Sequence, residues 1–139
     1  MLHLAKLAVG IRDIAHLRAA QAERAAAHPP LRHLTRMFPR RAAEIAGAGS
    51  IYWVVAGAML VRQRVLDVAP SAYEDGTRCA ALVLDPALVP VVGRPCKPFQ
   101  GWRYLDAGQA PPDLAEGGAA GEDELPAALR QQLRALCLL

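Results

Sequence analysis

The chain contains no asparagine, only two serines (Ser50, Ser71), two threonines (Thr35, Thr77) and two lysines (Lys6, Lys97). Small hydroxyl and amide side chains are therefore scarce as helix caps, turn formers or nucleophiles. Gly-x-Ser-x-Gly is absent, because Tyr52 stands where the second glycine after Ser50 would be. No Gly-rich stretch opens a helix with Lys-Ser/Thr, and Gly47-Ala48-Gly49 leads into a strand-like run, so phosphate-loop and dinucleotide-binding chemistry are disfavoured. The three cysteines, Cys79, Cys96 and Cys137, lie far apart with no Cys-x-x-Cys pair. Such a sparse, odd set fits a reducing cytoplasmic setting rather than a disulfide framework. The four histidines, His3, His16, His28 and His33, show no zinc-ligand spacing. No metal and no cofactor is expected.

Long apolar runs are also lacking. The longest uncharged stretch, Ile45 to Val61, is interrupted by Gly47, Gly49, Ser50 and Gly57, and its centre Ile51-Tyr52-Trp53-Val54-Val55 reads as a buried strand. No membrane association is expected. The N-terminal run Met1–Val9 is broken by Lys6 and reads as a first strand, not a signal sequence.

What is present is a single domain's worth of chain: 139 residues, 53% hydrophobic, enough to bury a core without staples. Arginine dominates the charge, with fourteen residues, a bias that a GC-rich genome explains as readily as function does. Its distribution is more telling. Residues 1–104 hold 14 Lys+Arg against 7 Asp+Glu, a net of +7, whereas 105–139 hold 2 against 6, a net of −4.

The local pattern predicts a strand over 2–9 and a helix over 14–27. Asp13 caps that helix, its inner stripe is Ile14, Leu17 and Gln21, and His28-Pro29-Pro30 ends it. A strand over 31–38, a short helix over 40–46 and strands over 50–56 and 59–68 follow. Asp75-Gly76 marks a hairpin into a strand over 78–84, which Asp85-Pro86 is expected to end. The stretch from Pro90 to Pro112 reads as an irregular loop pinned by Phe99, Trp102 and Tyr104. Beyond a domain at 1–114, the segment 115–139 reads as an acidic, Gly-rich linker and an amphipathic helix over 123–138. Its stripe is Leu125, Leu129, Leu133 and Leu136, which must dock on this chain or on a second copy. Homodimerisation through that helix is the alternative partner.

Basic and aromatic residues interleave in two clusters. Arg32, Arg36, Arg40, Arg41, Arg62 and Arg64 fall in a window with one acid, Glu44, while Trp102, Arg103 and Tyr104 supply planar faces. Arginines for phosphates beside rings for unstacked bases is the combination that single-stranded nucleic acid requires. The bland alternative is a solvated basic face over an ordinary core. A different class, an enzyme or small-molecule binder, would use an anionic-ligand pocket around 93–105. Arg94, Lys97 and Arg103 would hold the ligand there, with Asp85 or Asp113 as acid or base. Cys96, between Arg94 and Lys97, is the one thiol with cations nearby.

Several runs also carry a family resemblance. Arg32-His33-Leu34-Thr35-Arg36-Met37, Gly49-Ser50-Ile51-Tyr52-Trp53-Val54, Arg62-Gln63, Leu84-Asp85-Pro86, Pro98-Phe99-Gln100-Gly101-Trp102-Arg103-Tyr104-Leu105 and Pro111-Pro112-Asp113-Leu114 resemble the bacterial domain of unknown function 1489. The resemblance covers about 1–114 and implies a cytosolic, alphaproteobacterial type of protein, with no activity attached. The order of elements also resembles, more loosely, the PUA-like RNA-binding barrels. The expectation is thus an α+β domain with a mixed or mostly antiparallel sheet of about five strands, partly curled into a barrel. It would act as a non-enzymatic RNA-binding module.

Overall fold

The computed structural model describes residues 2–114. The linker and helix expected over 115–139, and any dimerisation through them, lie outside the described residues.

The chain runs β1 (Leu2–Leu7), α1 (Ile14–Ala27), β2 (Arg32–Thr35), α2 (Ala42–Ile45), β3 (Ser50–Val55), β4 (Ala58–Ala72), β5 (Arg78–Pro95) and β6 (Trp102–Asp106), with a single 3-10 turn at Ala107–Gln109. The strands form one mixed sheet in the order β2-β5-β4-β3-β1-β6. Only β1 and β3 pair in parallel, with Leu4 opposite Ile51 and Lys6 opposite Trp53. Every other pairing is antiparallel.

Local chemistry explains most of this. Asp13 accepts the His16 backbone N–H at 2.7 Å, which caps α1, and Ile14, Leu17 and Gln21 are its buried stripe. The turn between β3 and β4 places Ala56 at φ 52° and Gly57 at φ 86°, a pair of left-handed residues that joins twisted strands in two steps. Gly76 at φ 87° closes the β4–β5 hairpin. Gly49 has no room for a side chain, since a Cβ there would sit 1.9 Å from the Leu2 carbonyl oxygen.

β3 is buried along its whole length because both sheet faces are covered. On one face Ile51, Trp53 and Val55 join Leu2, Leu4 and Val61 beneath the two helices. On the other, Tyr52 and Val54 pack with Ala5, Met59, Val91 and Leu105, with Cys96, Phe99 and Ala110 against them.

Three expectations need correction. There are six strands, not five, and the sheet does not close into a barrel, because β2 and β6 remain its two edges. Asp85-Pro86 does not end a strand. Register shifts in β4 between Gln63 and Val65 and between Val65 and Asp67 form bulges, so β5 runs on to Pro95, and its prolines fall where the strand bends or edges. The proline-rich stretch is not wholly irregular either: Trp102–Asp106 pairs with β1, Trp102 opposite Lys6 and Tyr104 opposite Leu4.

α1 is locked to the sheet by one side chain. Gln63, at 0% exposure, exchanges two hydrogen bonds of 2.8 Å with Gln21 of α1. It also accepts from Trp53 Nε1 at 3.0 Å and donates to the Asp85 carbonyl at 2.8 Å. Its amide is thereby fully used. Replacing it alone with leucine strands the Gln21 amide, the indole N–H and a carbonyl. We expect a loss of about 3 kcal/mol or more in denaturant unfolding, part of which Gln21→Leu restores when added to it. A Gln63→Leu loss under about 1 kcal/mol would show that the network does not hold the helix.

Candidate functional site

The two sheet edges face each other across an open cleft of about 790 Å³, lined by Lys6 of β1, His33 to Met37 of β2 and the following turn, Tyr73, and Gln100 to Trp102. One hydrogen bond spans it, from Trp102 Nε1 to the Met37 carbonyl at 3.0 Å. Behind it, beneath α1, lies a chamber of about 140 Å³ that shares Lys6 and His33 with the cleft. A third depression of about 520 Å³ opens on the far side of β2 past Arg24, His28 and Arg32. His33 is common to all three, so they are neighbouring parts of one basic region, the groove around β2.

The groove is one-sided in charge. Lys6, Arg24, Arg32 and Arg36 line it with His28 and His33, and among the described residues no carboxylate does. Burial lowers the Lys6 pKa. His33 meets Trp53 edge-on, with ring centres 5.2 Å apart, and its Nε2 is buried without a hydrogen-bond partner. Burial, with Lys6 and Arg24 nearby, pushes its pKa down to about 4, so the ring is neutral near pH 7.

The opposite face carries a second polar cluster around a depression of about 410 Å³, lined by His3, Ser50, Tyr52, Arg62 and Asp113 among others. Here the charges are matched. Arg62 donates twice to Asp113, at 2.6 and 2.8 Å, and once to Ser50 Oγ at 3.2 Å. His3 Nδ1 accepts the Ser50 backbone N–H at 2.9 Å, so it is not placed as a base for the hydroxyl. Burial lowers the His3 pKa and raises that of Tyr52. This cluster fastens the stretch around Asp113 onto the sheet.

The arginines expected to work together are dispersed. Arg32 and Arg36 line the groove, and Arg40 is exposed. Arg41 is bidentate to Glu44 at 2.6 and 2.7 Å. Arg64 donates to the Gly47 carbonyl, and Arg62 is held by Asp113. Arg103 lies over the Phe99 ring at 4.4 Å, while Trp102 and Tyr104 pack edge-to-face with centres 4.8 Å apart. The Tyr104 hydroxyl accepts the Arg41 backbone N–H. Of the alternative pocket, Arg94 donates to the Gln109 carbonyl, Lys97 is exposed, and Asp85 accepts the Ala87 N–H at the bend in β5. Asp113, the remaining member, belongs with Arg62. Lys6 and Arg24 were missed, although a lysine interrupting an apolar inner strand is a readable signal.

A family model for a protein of unknown function, DUF1489, matches residues 4–139. The chain belongs to this family. The match runs through the acidic C-terminal segment, which is therefore not an addition outside the DUF1489 pattern. No curated protein and no solved structure matches the chain. Among the described residues of this DUF1489 member, no helix is long and apolar enough to cross a membrane.

The neutral His33 gives a pH signature. Its folded pKa of about 4 lies below the ordinary 6.5, so between those values the unfolded chain binds more protons. Stability must fall as pH drops through that window, by about 2 kcal/mol from this residue at pH 5 relative to pH 7. His33→Gln should flatten the pH dependence of unfolding by that amount. An unchanged slope would mean that His33 titrates normally.

Proposed function

We propose that this DUF1489 protein is a binding module for single-stranded nucleic acid, RNA in the first instance, held along the groove between β2 and β6. The observation that carries this reading is the groove's charge: among the described residues four Lys or Arg side chains and no carboxylate line it, together with the rings of Trp53, Tyr73 and Trp102. Two arginines outside the groove are matched by acids, Arg41 by Glu44 and Arg62 by Asp113. Cations clustered without a carboxylate among the described residues favour an anion supplied from outside, and three neighbouring depressions suit a chain better than a compact molecule. Phosphates would sit at Arg32 and Arg36, with Trp102 as the ring at the groove's mouth. Tyr104, Arg41, Arg62 and Arg64 are spent on the protein's own structure and are not part of this assignment.

Affinity for a short single-stranded RNA should fall steeply with salt. Each of Arg32→Ala and Arg36→Ala should reduce the slope of log K against log salt by about 0.7, one phosphate contact on a single strand. Arg103→Ala, outside the groove, should leave the slope unchanged. Salt-independent binding, no binding, or an equal effect of Arg103→Ala would contradict the assignment.

A further inference from the structure

The chamber beneath α1 is built differently from the groove that leads to it. Leu7, Ile11, Leu17, Leu31, Leu84 and the Trp53 ring make its walls largely apolar. Two of its polar members are already spent, since the Gln21 amide and the Trp53 indole N–H both bond to Gln63. That leaves Lys6, Arg24, Arg32 and His33. Of these, Lys6 and His33 line both chamber and cleft and so stand in the doorway, while Arg24 and Arg32 are cations within reach of a strand's phosphate. His33 Nε2 is buried there with no hydrogen-bond partner, which native structures seldom leave so.

The occupant has to satisfy three conditions. It must fit about 140 Å³, which is room for one ring and not for a length of chain. It must present apolar faces to leucines and an indole. It must bring a hydrogen-bonding edge to an imidazole nitrogen. A phosphate has no apolar face to offer the leucines and the indole, and a saturated sugar lacks flat apolar faces. A nucleobase meets all three, and in a single strand it turns out of the stack at small cost. We infer that the chamber takes one nucleobase turned out of a strand lying in the groove, and that His33 reads its edge. The inference rests on the groove reading above and adds the ligand class and the discriminating residue. Because the ring is neutral near pH 7, Nε2 offers the base either an N–H or a lone pair, not both, so the base bound is one whose edge matches a single tautomer.

The test uses the full chain with four homopolymeric oligoribonucleotides, a polyphosphate of equal charge and the free nucleoside monophosphates, all at one salt concentration. One homopolymer should bind about tenfold tighter than the polyphosphate, as one buried, stacked base predicts. Ala20→Phe, which fills the chamber from α1, and His33→Leu should each erase that preference while leaving polyphosphate binding unchanged, with melting temperatures confirming that both variants fold. Should His33→Leu fail to fold, Ala20→Phe decides alone. A monophosphate bound with the same preference, and lost in Ala20→Phe, supports the chamber and identifies the ligand as a free nucleotide rather than a strand. RNA and polyphosphate binding equally to the wild type would overturn the base chamber and leave the groove standing. No binding of either polyanion would overturn the groove itself.

Discussion

The architecture depends on a glutamine buried at the centre of the sheet. Gln63 has two donors and two acceptor positions, and all four are used: twice by Gln21, once by Trp53 and once by the Asp85 carbonyl. The amide thus ties α1, β3 and the bend of β5 to β4. A buried amide left half satisfied would be a liability, whereas one fully satisfied fixes a single geometry. The geometry it fixes holds α1 across the sheet so that the helix roofs the chamber without filling it.

The open groove follows from strand length and order. β2 is only four residues long and pairs on one side, and β6 pairs only with β1, so the sheet ends in two edges. Open edges are usually blunted by charge. Here Arg32 of β2 and Arg103 of β6 blunt them, and the Trp102–Met37 hydrogen bond links the two edges across the gap. On the opposite face the Arg62–Asp113 pair and the His3–Ser50 contact are closed on themselves. The two faces therefore differ: one is closed by its own ion pair, and the other carries cations with no carboxylate among the described lining residues.

Much of the first half of the fold was legible because its signals are local. Asp13 with Ile14, Leu17 and Gln21 fixes α1, Gly47 ends α2, and Gly57 and Gly76 mark the hairpins. β5 and β6 were hidden by proline. Asp85-Pro86 and Pro90 look like stops, and only the bulges in β4, set by long-range pairing, let the strand continue past them. The five residues of β6 are bracketed by Gly101 and the 3-10 turn, too short for alternation to stand out. The site was half legible for a similar reason. Arginine density marks Arg32 and Arg36, which line the groove, yet it cannot tell them from Arg62, whose partner Asp113 lies 51 residues away. His33 and Lys6 come together only because β1 and β2 frame the same chamber.

The central claim is a location: the ligand lies between β2 and β6, on the face roofed by α1. Mapping backbone amide chemical shifts during titration with a short single-stranded RNA tests it most directly. The account predicts shifts concentrated at Lys6, Arg32 to Met37, Gly101 and Trp102, and on the inner side of α1. Shifts centred instead on Ser50, Tyr52, Arg62 and Asp113, or absent from both faces, would contradict it.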